Sequence, residues 1–258
     1  MRLPAILGVI DRRILVNYRV DPEVLAEILP APFRPQLVAG YGIAGICLIR
    51  LRQVRPAIVP AILGFGSENA AHRIAVEWDA EDGVRTGVFV PRRDTSSAFN
   101  ALVGGRIFPG VHQRARFETQ ESAKQLRIEM QSLDGSARVL VEGSQTSALP
   151  DNSIFDSTDS ASQFFEKGSL GYSPDKSGNR FEGLELRASN WQVQPLSISK
   201  VESSLFDDRA AFPDGSATFD NALLMRDIDH EWHGGSDIVC SGCGQQATTN
   251  VRELLSTT

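Results

Sequence analysis

The residues best able to do chemistry in this chain crowd into one stretch. "VFVPRRDTSSAFNALVGGRIFPGVHQRARFE", residues 88–118, holds Arg92, Arg93, Arg106, His112, Arg114 and Arg116, with Gly104 and Gly105 near its centre. Guanidinium groups bind and polarise anions, but they stay protonated and so cannot be nucleophiles. His112 opens a strand and is of the type that titrates near neutrality, which suits proton transfer. Arg92 and Arg93 follow Pro91 at a strand end and read as solvated loop charge. Outside this stretch, Glu68 follows the Gly-rich bend "GFGSEN" and is a candidate acid or base. His72 starts another strand four residues later, and Arg12 and Arg13 form an N-terminal cationic pair. "HEWHGGSDIVCSGC" brings together His230, His233, Cys240 and Cys243, the ligand types of a zinc site, with the cysteines at knuckle spacing. Only six residues separate the two pairs, and a free dithiol or a local disulfide fits as well, so no metal is assigned. "GFGSEN" does not complete a dinucleotide fingerprint, no Walker-type loop occurs, and "DTSSAF" lacks the nucleophile-elbow pattern.

These residues need a scaffold, and the chain is long enough to supply one. Its 258 residues, 41% of them hydrophobic, can bury a sizeable core. A single domain over residues 1–233 is expected, followed by a Gly/Ser/Thr-rich tail over 234–258. The net charge of −6 is spread along the chain and gives no basic face for nucleic acid. The apolar run "AGYGIAGICLIRLR" is shorter than the ~20 residues of a membrane span. The N-terminus lacks a small-residue cleavage site, so no secretory signal is expected. Three cysteines make no disulfide framework, and a cytoplasmic setting is the expectation.

Hydrophobic periodicity predicts a series of strands. Runs at 13–20, 43–52, 72–79, 84–90, 112–119, 124–131 and 137–145 carry branched and aromatic residues, and "HRIAVEWD", "KQLRIEMQ" and "ARVLVEGS" alternate with the period of a half-buried strand. Turns such as "AEDG" and "LDGS" predict antiparallel neighbours. "DPEVLAEILP" predicts a short helix with Asp21 as cap, Pro22 at the first position and Pro30 as its stop. "DSASQFFEKG" predicts a second, capped by Asp159 or Ser160 and ended by Gly168. Two further strand-like runs lie near 180–188 and 191–206. Many strands at short spacing predict a barrel or a strongly curved sheet.

The segment "ILVNYRVDPEVLAEILPAPF", with Tyr18, Arg19, Asp21, Leu29, Pro30 and Pro32, resembles the acetoacetate decarboxylase-like superfamily. "GFGSENAAHRIAV" and "FDNALLMRDIDHEWH" add looser matches, the last to its uncharacterised bacterial branch. The resemblance implies an α+β fold, predominantly antiparallel β, as a cone-shaped barrel with few short helices around a small pocket. Decarboxylases of this family form a Schiff base through one of two adjacent lysines. Counting back from Phe108-Pro109 puts those lysines at Gly104-Gly105 here, and glycine cannot form an imine. The chain's lysines are Lys124, Lys167, Lys176 and Lys200, and only Lys200 is on a plausible strand, as a relocated nucleophile. The remaining site implied by the resemblance is Glu68 as pocket carboxylate, Arg12 or Arg13 on a substrate carboxylate, and Arg106 as fixed charge. The expected partner is a small anionic carbonyl compound, a keto or hydroxy carboxylate. It would be processed by a lyase or isomerase without an imine, or bound by a protein that kept the pocket and lost the chemistry. Glu68, Arg106 and His112 are the catalytic candidates; Arg12, Arg13 and His72 are the ligand-binding ones. The resemblance implies a homo-oligomer, and no cofactor, nucleic acid or membrane partner is expected.

Overall fold

The alternation seen in the sequence is realised as strand pairing. In the computed structural model, which describes residues 5–103 and 109–239, the elements are β1 (Ile6–Val20), α1 (Pro22–Ile28), β2 (Arg34–Pro35), β3 (Leu37–Val38), β4 (Tyr41–Pro56), a 3-10 turn (Ala61–Leu63), β5 (Phe65–Ala80), β6 (Gly83–Thr95), α2 (Ala98–Val103), β7 (His112–Glu121), β8 (Gln125–Ser132), β9 (Arg138–Gln145), α3 (Thr158–Lys167), β10 (Leu170–Pro174), β11 (Arg180–Ala188), β12 (Gln194–Ser203), β13 (Ala217–Gly234) and β14 (Ile238–Val239). "AEDG" joins β5 to β6 and "LDGS" joins β8 to β9, both as antiparallel hairpins. Gly83 and Gly135 supply the positive φ that such tight reversals need.

Local capping explains the helices. The Asp21 carboxylate accepts the Glu23 N–H at 2.9 Å, Pro22 occupies the first turn, and α1 buries Leu25. α3 begins two residues earlier than a cap at Asp159 would set it, and three earlier than a cap at Ser160. Its cap is Ser157, which accepts from the Ser160 N–H while the Ser160 hydroxyl accepts from the Ser157 N–H. β1 also starts earlier than expected, at Ile6, because β13 and β4 pair with it on both sides. Ile238–Val239 joins the sheet edge beside β11, so the first residues of the expected tail are part of the fold. Residues 240–258 lie outside the described residues. Among the described residues, no helix is long and apolar enough to cross a membrane.

The sheet is almost wholly antiparallel, as expected; β6 pairs in parallel with β7 and β10. Its pairings close on themselves twice. One ring runs β6–β7–β8–β9–β12–β13–β1–β4–β5 and back to β6; the other runs β6–β10–β11–β13–β1–β4–β5 and back to β6. The strands β13, β1, β4, β5 and β6 therefore form a wall with one ring on each side. Ile14, Val16, Ile46, Leu48, Ile128, Met130, Val139 and Val141 pack in the first ring as one buried cluster. On the opposite face of the wall, Leu15, Ile43, Cys47, Ala75 and Leu223 pack under Phe155, Ala161 and Phe165, the latter two from α3.

Two irregularities set which residues face which ring. Between β1 and β4 the register shifts at Asp11: Ile10 lies opposite Leu51, but Arg12 lies opposite Arg50. Between β5 and β6 it shifts again: His72 pairs with Arg92, but Ile74 pairs with Phe89, so Val90-Pro91 spans one residue of β5. An extra residue in a strand changes the phase of every side chain beyond it, and a bulge is one of the few sheet positions open to proline.

His72 faces the first ring and is 1% exposed, and neither of its ring nitrogens has a hydrogen-bond partner among the described residues. Burial, and secondarily the Arg92 guanidinium, holds its pKa down at about 3. An unfolded histidine takes its proton near the ordinary value, ~6.5. The unfolded chain thus binds a proton that the native state refuses, and this stability is lost as pH falls below ~6.5 towards the folded value. Replacing His72 by Leu should shrink the drop in unfolding free energy between pH 7 and pH 5 by about 2 kcal/mol, measured by urea titration at both values. A pH slope that is the same in His72→Leu as in the parent would dismiss this account.

Candidate functional site

The second ring borders a partly open cavity of about 150 Å³. Three guanidinium groups line it, each brought there by a different strand: Arg13 on β1, Arg73 on β5 and Arg93 on β6. The phase changes described above are what deliver them. In "DRR", the shift at Asp11 turns Arg12 to the first ring and Arg13 to the cavity. In "PRRD", Pro91 does the same, turning Arg92 to the first ring and Arg93 to the cavity. Arg73 lies between Ala71 and Ala75, whose short side chains leave its face of β5 open.

Each adjacent arginine pair is thereby split into a neutralised member and an unneutralised one. Arg12 is fully buried and pairs with Glu68 at 2.6 Å and with Glu121. Arg92 is clamped by both oxygens of Asp94 at 2.8 Å and donates to the Ser136 hydroxyl at 2.7 Å. By contrast, Arg13, Arg73 and Arg93 have no carboxylate within ion-pair distance among the described residues. Arg13 directs Nε at Cys47 Sγ, 3.3 Å away, and stacks 5.5 Å from the Trp191 ring. Arg73 donates to Asn17 Oδ1 and lies 4.8 Å over the Phe165 ring, while its Nε has no partner. Arg93 donates Nε to the Ser173 hydroxyl at 3.0 Å. Aromatic faces and neutral acceptors stabilise a guanidinium, but they leave its charge in place.

The electrostatic consequence is visible in the ionisation of these groups. Burial lowers Arg73 to about 10, with Arg13 adding to the effect and Cys47 opposing it. Burial likewise lowers Arg93 to about 10. Both remain cationic at neutral pH. His112 lines the same cavity, with Nδ1 3.3 Å from the Gly110 carbonyl oxygen. Burial and then the Arg93 charge depress it to about 3, so it is a neutral imidazole at physiological pH. Asn69 and Asn100 contribute amides: Asn69 accepts from the Thr95 hydroxyl at 2.8 Å, and Asn100 keeps a buried Oδ1 without a partner among the described residues. Ile49, Leu51, Leu186 and Trp232 make the apolar part of the wall.

Of the residues singled out in the sequence, the structure brings Arg13 and His112 together at the cavity. Arg12, Glu68 and His72 do not line it. Glu68 accepts from Arg12 and also from Arg50 Nε at 2.5 Å, in a network that continues through Glu121, Asp11 and Arg226 at the end of the first ring. It is a structural counter-charge there, and the cavity chemistry is not assigned to it. Arg106, with Gly104 and Gly105, lies outside the described residues. Arg92 and Arg93 are not solvated loop charge; both are drawn into β6. Lys200 is exposed on β12 and pairs with Glu202 at 2.7 Å, and none of the chain's lysines lines the cavity, which removes the relocated imine. His230 and His233 stand three residues apart on β13, on opposite faces, so they cannot converge on one metal; Cys240 and Cys243 lie outside the described residues. Sequence reasoning missed Arg73 and Cys47. The only signal for Arg73 was the alanine two residues away on each side, Ala71 and Ala75, which share its face of β5.

With this geometry in hand, the fold can be placed. It is that of the acetoacetate decarboxylase-like enzymes. The chain matches acetoacetate decarboxylase from Legionella pneumophila subsp. pneumophila str. Philadelphia 1 with a TM-score of 0.58 at 11% identity, covering 91% of this chain and 88% of that one. The enduracididine biosynthesis enzyme MppR, in complex with pyruvate, matches with a TM-score of 0.57 at 12% identity, over 92% and 90% of the two chains. An acetoacetate decarboxylase-like enzyme from Sphingomonas wittichii RW1 matches with a TM-score of 0.55 at 14% identity, over 92% of each chain. No curated protein matches the sequence. Residues 10–223 match the DUF2071 family of uncharacterized conserved proteins, and the chain belongs to that family.

The ion network and the cavity should separate on mutation. Glu68→Gln leaves Arg12 with Glu121 alone, so it should cost about 2 kcal/mol of stability, less than the ~3–5 kcal/mol of a fully orphaned buried charge. Denaturant midpoints should show that loss, while calorimetry finds ligand affinity at the cavity unchanged. Weakened binding at unchanged stability would return Glu68 to the site.

Proposed function

We propose that the cavity binds a small keto or hydroxy carboxylate, and that any reaction on it proceeds without a lysine imine. One observation carries the reading: Arg13, Arg73 and Arg93 bring positive charge to a partly open cavity where no carboxylate among the described residues pairs with them, Asp94 on the same lining being held by Arg92. Buried charge without a partner costs several kcal/mol, and an anionic ligand offsets that cost when it binds. The size agrees. A cavity near 150 Å³ takes a benzene-sized guest of about six heavy atoms, which is the size of pyruvate. The similar MppR fold is known with pyruvate bound. In this reading two guanidiniums grip the carboxylate, neutral His112 forms part of the wall beside them, and the Leu186–Trp232 side receives the carbon chain.

Lyase or isomerase activity is the first form of this proposal. A binding protein that retains the pocket without turnover is the second, and it is favoured by the position of Glu68 outside the cavity. Proton NMR of a keto acid incubated with the protein in deuterated buffer separates the two, since only turnover or enolisation changes the spectrum with time.

Isothermal calorimetry with pyruvate and lactate, set against the neutral pyruvamide, tests the binding itself. The acids should bind and the amide should not. Arg73→Met and Arg93→Met should each weaken the acids about 10- to 100-fold, the worth of one charge-assisted contact at ~1.5–3 kcal/mol. Equal binding of acid and amide, or unchanged affinity in both variants, would sink the proposal.

A further inference from the structure

Cys47 is the one free cysteine among the described residues. It is 7% exposed, lies on β4 opposite Leu15 of β1 and Ala71 of β5, and lines the cavity. Arg13 directs an N–H at its sulfur from 3.3 Å. A guanidinium has only donors, so the sulfur meets it as an acceptor and its own proton is not committed to that contact. A second and independent feature marks the same space as a ligand site. Arg73 is 6% exposed, lines the cavity, and apart from its bond to Asn17 and its contact with the Phe165 ring has, among the described residues, no carboxylate partner and no partner for its buried Nε. Cys47 therefore sits where an anionic ligand is called for. Since no lysine reaches this space, it is the strongest nucleophile on the wall.

Building on the reading of the cavity as a keto-carboxylate site, we propose that Cys47 is a covalent site for that ligand. With the carboxylate held by the guanidiniums, the sulfur adds to the keto carbon. A carbon–sulfur bond forms, and the carbonyl π bond breaks towards oxygen. The oxygen takes the proton that sulfur gives up, and the product is a hemithioketal. Reversal returns the thiol and the keto acid. No oxidant, reductant or cofactor enters the balance. The class of ligand is narrowed accordingly: a keto carboxylate reacts and is retained, whereas a hydroxy carboxylate of the same shape binds without bonding.

The test uses the full-length protein and pyruvate carrying carbon-13 at the keto position. At concentrations where calorimetry shows the site occupied, the bound carbonyl resonance of the parent protein should give way to that of a tetrahedral carbon. In Cys47→Ser and Cys47→Ala this signal should be absent, with pyruvate affinity reduced by less than about tenfold, a change of ~1.4 kcal/mol. If neither variant folds, labelling of Cys47 by iodoacetate, located by peptide mapping, must abolish the signal in the parent protein. An occupied site that shows only the carbonyl resonance overturns the covalent assignment and leaves the cavity reading standing, as does a tetrahedral signal that survives loss or labelling of Cys47. Absence of pyruvate binding in calorimetry overturns both.

Discussion

A β-strand sends successive side chains to opposite faces, and in this chain the wall of β13, β1, β4, β5 and β6 has a ring of strands closed against each face. Neither face of the wall is given over to solvent along its middle. Every residue placed there must satisfy one interior or the other. The first interior is filled by aliphatic packing and sealed at one end by the Arg12, Arg50, Glu68, Glu121 network. The second is left with a cavity and with guanidiniums that no carboxylate among the described residues pairs with, Asp94 on its lining being taken by Arg92. The asymmetry between the two interiors is the main physical fact about the molecule.

That asymmetry is controlled by phase. Two arginine doublets, Arg12-Arg13 and Arg92-Arg93, each follow directly on a strand irregularity, and each doublet is split across the wall. The members facing the first ring find Glu68, Glu121 and Asp94; the members facing the cavity find sulfur, aromatic rings and hydroxyls. A bulge thus does more than bend a strand here. It decides which charges are structural and which are available to a ligand. The same logic separates His72 from His112: both are held neutral by burial, but only His112 looks into the cavity.

The fold is that of the acetoacetate decarboxylase-like enzymes, and none of this chain's lysines lines its cavity. What remains is a small, cationic, partly apolar chamber with a neutral imidazole and a thiol. The charge and size of that chamber are what support the proposed short carboxylate ligand. Whatever it does next must use the groups on its own wall, because the acid once expected to serve it is committed to two arginines on the far side.

The sequence by itself determined the local elements and the broad class. The cap at Asp21, the hairpins at "AEDG" and "LDGS", and the alternation along β5, β8 and β9 depend only on neighbouring residues, so they were legible in one dimension. So was the absence of a lysine doublet before Phe108-Pro109. The tertiary structure alone decided which residues form the site. Arg12 and Arg13 are indistinguishable as neighbours in a chain, as are Arg92 and Arg93. Their fates differ by one step of strand phase, fixed by pairings with β4 and β5 that no local pattern encodes. Cys47 was invisible for the same reason: it is an ordinary strand residue until the ring closes and shows what stands opposite, and Arg73 carried only the weak signal of the alanines at its i±2 positions.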